Sequence, residues 1–237
     1  MTKIPTATPK SASVDWICEA GQGGQLRVAS LALPDFEDLP DPSAWLSTSL
    51  LTEWGQLKQK ERRREWVATR WMLFSWLQKE LVDAFGGGES RLHLERTPNG
   101  QLLLPFAPDW GVSVSHCPGY AAILLAPGRV GVDVERYRSQ VHRLSDRYLD
   151  ASEQYILGQD TAGLTLGWVV KEAVFKWIGG GGIAFRDAIR IESMHSDPGK
   201  VQVSVRVAGQ PDAAVLCVRY DEQPVLERVC AWVVEGQ

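Results

Sequence analysis

Residues 112–135, VSVSHCPGYAAILLAPGRVGVDVE, place three runs of strand-forming residues within 24 positions, cut apart by Pro118-Gly119 and Pro127-Gly128. Small and β-branched apolar residues favour a pleated, half-buried backbone, and each Pro-Gly pair turns the chain. Spacing this tight predicts an antiparallel meander: GVSVS, then YAAILLA, then VGVDVE. In the last run side chains alternate, so Val130, Val132 and Val134 share one face, and Gly131, Asp133 and Glu135 the other. Two like charges that close repel unless a cation lies between them, and Mg²⁺ is typically held by one or two carboxylates plus phosphate oxygens. The same alternation marks a half-exposed strand with its acids in water, so these residues alone leave both readings open.

Two helical patterns accompany the strands. The first runs from about Pro42 or Leu50 to Phe85, and its middle, KQKERRREWVATRWMLFSWL, joins a basic cluster to an apolar half. Arg63 and Arg70 lie two turns apart with Trp66 between them, a face whose guanidinium forks suit phosphate; the competing reading is a solvated basic face beside Glu61 and Glu65. The glycines of GGGES end this helix, and a strand SRLHLER, a turn TPNGQ and the run LLLPFAPDW follow. The second pattern is LTLGWVVKEAVFKWIGGGG, after a polar helical stretch, VHRLSDRYLDASEQYILGQ. Trp168, Glu172 and Lys176 recur every four residues on one stripe, with Val170, Ala173, Val174 and Trp177 on the apolar side. An acid and a lysine so spaced are commonly a surface ion pair, yet the apolar flanks and the four glycines that follow point to a surface where a backbone must approach something closely. The strands AIRIESM, KVQVSVRVA, AAVLCVRY and ERVCAWVVE complete the chain. Each half thus holds one strong helix followed by strands, an α+β pattern, and REWVATRWMLF and LGWVVKEAVFK are weakly alike, as in a duplicated unit.

At 237 residues with a formal net charge of −4, the chain is long enough for one large or two small domains, and its overall charge gives no reason to expect nucleic-acid binding. The first 13 residues or so read as a polar leader, no signal-peptide core follows Met1, and the longest uncharged run, 110–128, is broken by Pro, Gly, Ser and His. A soluble, intracellular, cytoplasmic protein with no membrane contact is expected. Cys18, Cys117, Cys217 and Cys230 lack metal-type spacing, and His93, His116, His142 and His195 are equally dispersed, so free thiols are expected and a zinc site is not.

VSVSHCPGYAAILLAPGRVGVDVE followed by LGWVVKEAVFKWIGGG resembles the 4'-phosphopantetheinyl transferase superfamily, with its SH strand end, its (V/I)G(V/I)D(V/I)E strand and its W-x-x-KE-x-x-x-K helix in the same order and separation. Upstream, LLTEWGQLKQKERRREWVATRWMLF resembles the family's basic segment, with Trp66 in the aromatic place and Arg70 as the arginine. The resemblance covers about residues 45–190, and the length is similar to the two-lobed Sfp type. It implies an α+β fold of two pseudo-twofold lobes, each a long helix on a small antiparallel sheet, with residues 1–128 as the N-terminal lobe, 129–237 as the C-terminal lobe, and the site in the cleft between them. It implies transfer of 4'-phosphopantetheine from coenzyme A to a serine of an apo acyl carrier protein, or of a peptidyl or aryl carrier domain, with 3',5'-ADP leaving. Asp133, Glu135 and Glu172 would bind Mg²⁺, or Mn²⁺ in its place. Glu172 would be the general base, with Asp133 and Lys176 also catalytic. Lys176, Ser115 and His116 would hold coenzyme A phosphates, and Arg63 and Arg70 its 3'-phosphate end. The pseudo-dimer architecture implies a monomer.

One departure concerns binding: where the family often has Gly-Lys-Pro, the turn here reads NGQLLLP, with neutral Gln101 at the place of the lysine. Two other readings suit the same charges. A metal-dependent phosphohydrolase or nucleotidyl transferase would use such acids, but no G-x-x-x-x-G-K loop is present. A non-catalytic coenzyme A or carrier-protein binding module would keep the fold, though it has no need of four matched charges.

Overall fold

A computed structural model of the chain describes residues 14–19, 25–30, 39–80, 91–181, 183–206 and 213–236. In chain order these form β1 (Val14–Glu19), β2 (Gln25–Ser30), α1 (Thr48–Gln56), α2 (Lys60–Glu80), β3 (Glu95–Arg96), β4 (Leu102–Leu103), β5 (Trp110–Cys117), β6 (Tyr120–Pro127) and β7 (Val130–Arg136). The second half continues with α3 (Val141–Leu144), α4 (Ala151–Leu157), α5 (Thr161–Ile178), α6 (Phe185–Ala188), β8 (Ile189–Met194), β9 (Lys200–Val205), β10 (Ala214–Gln223) and β11 (Arg228–Val234). The strands build two antiparallel sheets, of order β1-β2-β6-β5-β4-β3 and β7-β11-β10-β9-β8. The fold is α+β with two similar lobes, each a long helix laid on one sheet.

Side-chain alternation explains the layering. In β6, Ile123 and Leu125 point outward to α2, meeting Trp66, Trp71 and Phe74, while Ala122, Leu124 and Ala126 point inward. In the other lobe Val229, Ala231 and Val233 of β11 meet Val170, Ala173 and Val174 of α5, while Cys230, Trp232 and Val234 point inward. The inward sets share one apolar layer between the sheets with Val130, Val132 and Val134.

That layer corrects the meander expected across residues 112–135. β5 and β6 do form a hairpin around Pro118-Gly119, but β7 leaves their sheet and pairs with β11, from Val130 opposite Val234 to Arg136 opposite Arg228. Its valines are at most 2% exposed in the layer between the sheets, and that burial holds β7 there. The outer edge of β7 is covered nonetheless: Val132 N–H donates to Ser113 Oγ at 3.0 Å, and Val132 O accepts from Lys176 Nζ at 2.9 Å.

A second correction concerns the first long helix, which is two helices. Leu57 is extended (φ −70°, ψ 116°), and the chain bends before α2 begins. The bend brings Trp66 Nε1 within 3.1 Å of Glu53 Oε1, residues thirteen apart in sequence. In one straight helix they would stand about 20 Å apart. Of the expected strand SRLHLER, only Glu95–Arg96 is a strand, with Leu92 in an isolated bridge to Leu46. The expected leader, the end of the first helix near Phe85 and the GGGES segment lie outside the described residues.

α5 is seated by direct backbone contact. Asp160 caps its start by accepting from Gly163 N–H at 2.7 Å, and Gly179, left-handed at φ 91°, ends it. At Gly131 a Cβ would lie 1.9 Å from Ala173 O and 2.7 Å from Trp177 N, so only glycine lets β7 lie this close to the helix.

A buried ion pair that the sequence did not announce fixes α5 from the other side. Lys171 and Glu153, both fully buried, meet at 2.7 Å. Lys171 Nζ also donates to Arg186 O at 2.9 Å, and Glu153 accepts from Ile191 N–H at 2.9 Å and Asp150 N–H at 2.8 Å. The pair joins α4, α5, α6 and β8 with its hydrogen-bonding capacity largely used. Cys117, Cys217 and Cys230 are free thiols, and no described helix is long and apolar enough to cross a membrane. Lys171→Met strands the Glu153 carboxylate and is expected to cost about 3–5 kcal/mol, read as a lower urea midpoint at unchanged slope, with Glu153→Gln/Lys171→Met recovering much of it.

Candidate active site

The acids on β7 face α5. Lys176, near the C-terminal end of that helix, donates to Asp133 Oδ1 at 2.7 Å, and Ser115 Oγ on β5 donates to the same oxygen at 2.5 Å. One carboxylate oxygen thus ties together β5 of the first lobe, β7, and α5 of the second. Burial raises the Glu172 carboxyl to about 7, with the Asp133 charge adding to the rise, Lys176 opposing it and Glu135 adding again. Glu135 is raised by the same causes, burial first and then Asp133.

Mutual repulsion of this kind is what a divalent cation relieves. Among the described residues no three His, Cys, Asp or Glu side chains close into one metal-holding group. The donor set therefore fits an ion that takes one or two carboxylates and fills its remaining positions with phosphate and water oxygens, as Mg²⁺ does.

Lys176 lines a cleft of about 360 Å³ between the lobes. Its opposite wall carries Arg62, Trp66 and Arg70 of α2, with His116 of β5 between. Arg70 is only 6% exposed, stacks on Trp66 at 4.3 Å and has no carboxylate partner among the described residues. Burial pushes its pKa down to about 10; Glu53 opposes that shift and Arg96 adds to it. A buried, unpaired guanidinium lining a cleft calls for an anion. His116 is held neutral, its pKa brought down to about 4 by burial and then by Arg70, Lys176 and Arg62, with Asp133 opposing. Glu65 Oε2 stands 3.4 Å from His116 Nδ1, an approach without hydrogen-bond geometry.

Asp133, Ser115, His116, Lys176 and Arg70 are brought to this region, with Glu135 and Glu172 electrostatically coupled to Asp133. Arg63 is not brought to Arg70. It stacks on Trp54 at 4.5 Å and lines a separate hollow, because the bend before α2 offers it an aromatic face. Arg62 takes the place expected of Arg63. The signal was present as the four-residue stripe Arg62, Trp66, Arg70, which the seven-residue pairing overlooked. Arg96 also lines the cleft, bridging Glu53 at 2.9 Å and Gly100 O at 3.1 Å, and no local pattern marked it. Gln101 reaches the cleft wall, where a Cβ on Gly179 would meet its Oε1 at 3.0 Å, so the TPNGQ turn packs on the glycines that end α5. Trp168, the first member of the stripe, packs on Tyr148 and Phe185 at 5.1 and 5.6 Å and lines a smaller hollow of about 220 Å³ beside Glu135.

The model of the 4'-phosphopantetheinyl transferase superfamily matches residues 129–231, the stretch from β7 to β11 that contains Asp133, Glu135, Glu172 and Lys176. Over that stretch the chain is similar to this superfamily. No curated protein matches the chain.

Glu172 gives a pH test with a defined sign. Its folded value of about 7 lies above the ordinary 4.5, so the folded state holds the extra proton between them and stability falls as pH rises through that window. In the presence of EDTA, Glu172→Gln is expected to add about 1–3 kcal/mol near pH 8, after discount for partial exposure, and to be neutral near pH 4.5, read by thermal unfolding at the two pH values.

Proposed function

We propose that the protein transfers the 4'-phosphopantetheine group of coenzyme A to a serine hydroxyl of an apo acyl carrier protein or of a peptidyl or aryl carrier domain, releasing 3',5'-ADP. The observation that carries this reading is the Asp133–Lys176 contact, beside Glu172, on a cleft whose far wall holds the unpaired Arg70. The superfamily match supports the phosphopantetheine chemistry; the acceptor, the metal and the residue roles are our reading.

The nucleotide end of coenzyme A lies against Arg62 and Arg70, where a dianionic phosphate satisfies the buried guanidinium, and His116 lines the same wall. Lys176 and Ser115 sit where the diphosphate meets the acids. Of Asp133, Glu135 and Glu172, one or two carboxylates would hold Mg²⁺ or Mn²⁺, which when bound would neutralise charge on the diphosphate oxygens. Glu172 takes the proton of the incoming serine hydroxyl. The serine oxygen forms a bond to the β-phosphorus, the bond from that phosphorus to the ADP oxygen breaks, and 3',5'-ADP leaves with the electron pair. Lys176, held by Asp133 and Val132 O, offsets the negative charge that builds during this exchange. The two lobes, divided at 128/129, act as a monomeric cytoplasmic enzyme with no nucleic-acid or membrane partner.

Incubation with coenzyme A, Mg²⁺ and a panel of apo carrier proteins is expected to add one phosphopantetheine to a carrier by intact-protein mass spectrometry, and EDTA is expected to abolish the gain. Asp133→Ala and Glu172→Ala should lose transfer by at least about a hundredfold with native circular dichroism retained, and Asp133→Ala should also lower the unfolding midpoint, since it removes the carboxylate that joins Ser115 to Lys176. Near-normal turnover in either removes the metal assignment. Gln101→Lys is expected to lower the coenzyme A Kd by roughly tenfold, read by calorimetric titration, because it adds a cation to the cleft wall; an unchanged Kd would place Gln101 away from the nucleotide.

A further inference from the structure

His116 lines the main cleft, but its Nδ1 is sealed from solvent and has no hydrogen-bond partner. Glu65 of α2 stands behind the ring, outside the cleft lining, with Oε2 3.4 Å from that nitrogen. The Glu65 side chain is 23% exposed, and among the described residues His116 is its sole neighbour at ion-pair distance. Burial raises the Glu65 carboxyl, with Arg138 and Arg62 opposing and Glu61 adding. A half-buried acid and a buried imidazole nitrogen thus face each other across a gap slightly too long for a hydrogen bond. As placed, neither helps the fold, since a buried polar group without a partner costs stability. Contacts of this kind in a site are often long in the free protein and tighten when a ligand arrives.

We propose that Glu65 is a positioning residue: it holds the His116 ring through Nδ1 and serves as its counter-ion, so that His116 meets the diphosphate of coenzyme A as an imidazolium, through Nε2. The proposal rests on the reading that a diphosphate occupies the main cleft. The chemistry of the ring leads there. With a carboxylate at Nδ1, a lone pair on that nitrogen would face the lone pairs of oxygen, so Nδ1 carries the ring proton. In the free protein this leaves Nε2 bare, which suits the cations Arg62, Arg70 and Lys176 of the same cleft and agrees with a neutral His116. A bare nitrogen repels phosphate. An arriving diphosphate neutralises the three cations and offers acceptor oxygens to Nε2, and the ring takes a second proton from solvent while Glu65 balances the charge behind it. The other charges facing the pair are Glu61 of α2, Asp133 of β7 and Arg138 of the segment after β7. Glu61 and Arg138 are exposed and screened by water, and Asp133 is engaged by Lys176 and Ser115, which leaves Glu65 as the counter-ion.

The test is a titration with inorganic pyrophosphate in EDTA, followed through the ring nitrogens of His116 by NMR, with its signals assigned by their loss in His116→Gln. In wild type near neutral pH, His116 should pass from a neutral ring with its proton on Nδ1 to a doubly protonated ring as pyrophosphate binds. Glu65→Gln, similar in shape, should bind pyrophosphate with His116 left neutral and its proton on Nε2. Glu61→Gln removes a charge from the same helix and should behave as wild type. A wild-type His116 that stays neutral at saturation, or equal protonation in Glu65→Gln, overturns the proposal; so does failure of wild type to bind either pyrophosphate or coenzyme A. A second arm uses coenzyme A itself, by calorimetric titration. Its Kd in Glu65→Gln is expected to rise about tenfold near pH 7, the difference between a charged and a neutral donor, and the gap to close near about pH 9, where wild-type His116 has also lost its proton. An unchanged Kd, or a gap that is constant with pH, overturns the proposal, the latter because it marks a merely structural role. Protonation of His116 by pyrophosphate, dependent on Glu65, without phosphopantetheine transfer to any carrier would support the Glu65–His116 pair while removing the transferase reading.

Discussion

The site depends on how closely α5 lies on β7. Helix and strand usually keep a layer of side chains between their backbones, but here Gly131 lets Ala173 O and Trp177 N come to where a Cβ would be. That approach sets the height of α5 above the strand. Glu172 and Lys176 on the helix then stand level with Asp133 on the strand, so that Lys176 reaches both the Asp133 carboxylate and the Val132 carbonyl. A helix held further out by one methyl group would break both bonds.

Two further devices keep this geometry. The Glu153–Lys171 pair pins α5 to α4 and β8 in the low-dielectric interior, where the partners cannot exchange for water. The layer of inward residues from β2, β6, β7 and β11 fixes one lobe against the other. Ser113 and Ser115 of the first lobe then reach Val132 and Asp133 of the second, so the cleft is a product of lobe packing, lined by α2 and β5 from the first half of the chain and by Phe175 and Lys176 of α5 from the second.

Electrostatics divides the cleft by function. At the β7–α5 end, acids are buried together and the proton affinities of Glu135 and Glu172 rise. Along the α2 wall, Arg70 is buried without a partner, and His116 is kept neutral mainly by burial and by cations. In the proposed reaction a substrate with a diphosphate between a nucleotide and a long neutral arm would satisfy both ends: its phosphates would answer Arg62, Arg70 and Lys176, and a cation shared with those phosphates would answer the carboxylates.

The placement of the acids and of Lys176 in the second half was legible in the sequence. Period-two alternation alone puts Asp133 and Glu135 on one face, and four-residue spacing alone aligns Trp168, Glu172 and Lys176, because strand and helix periods are local properties of the backbone. The α+β class and most of the strands followed from the same periods, although β1 was not read and SRLHLER is a strand only at Glu95–Arg96. What only the tertiary structure decided was long-range. The departure of β7 from the β5–β6 sheet depends on an apolar layer assembled from four strands. The break before α2 depends on Trp66 meeting Glu53, and Arg63 parted from Arg70 because that break presented it with Trp54. Lys171 looked like any lysine of a helix until its partner arrived from α4. Local period says which way a side chain points; what it meets there is set by the packing of elements far apart in the chain.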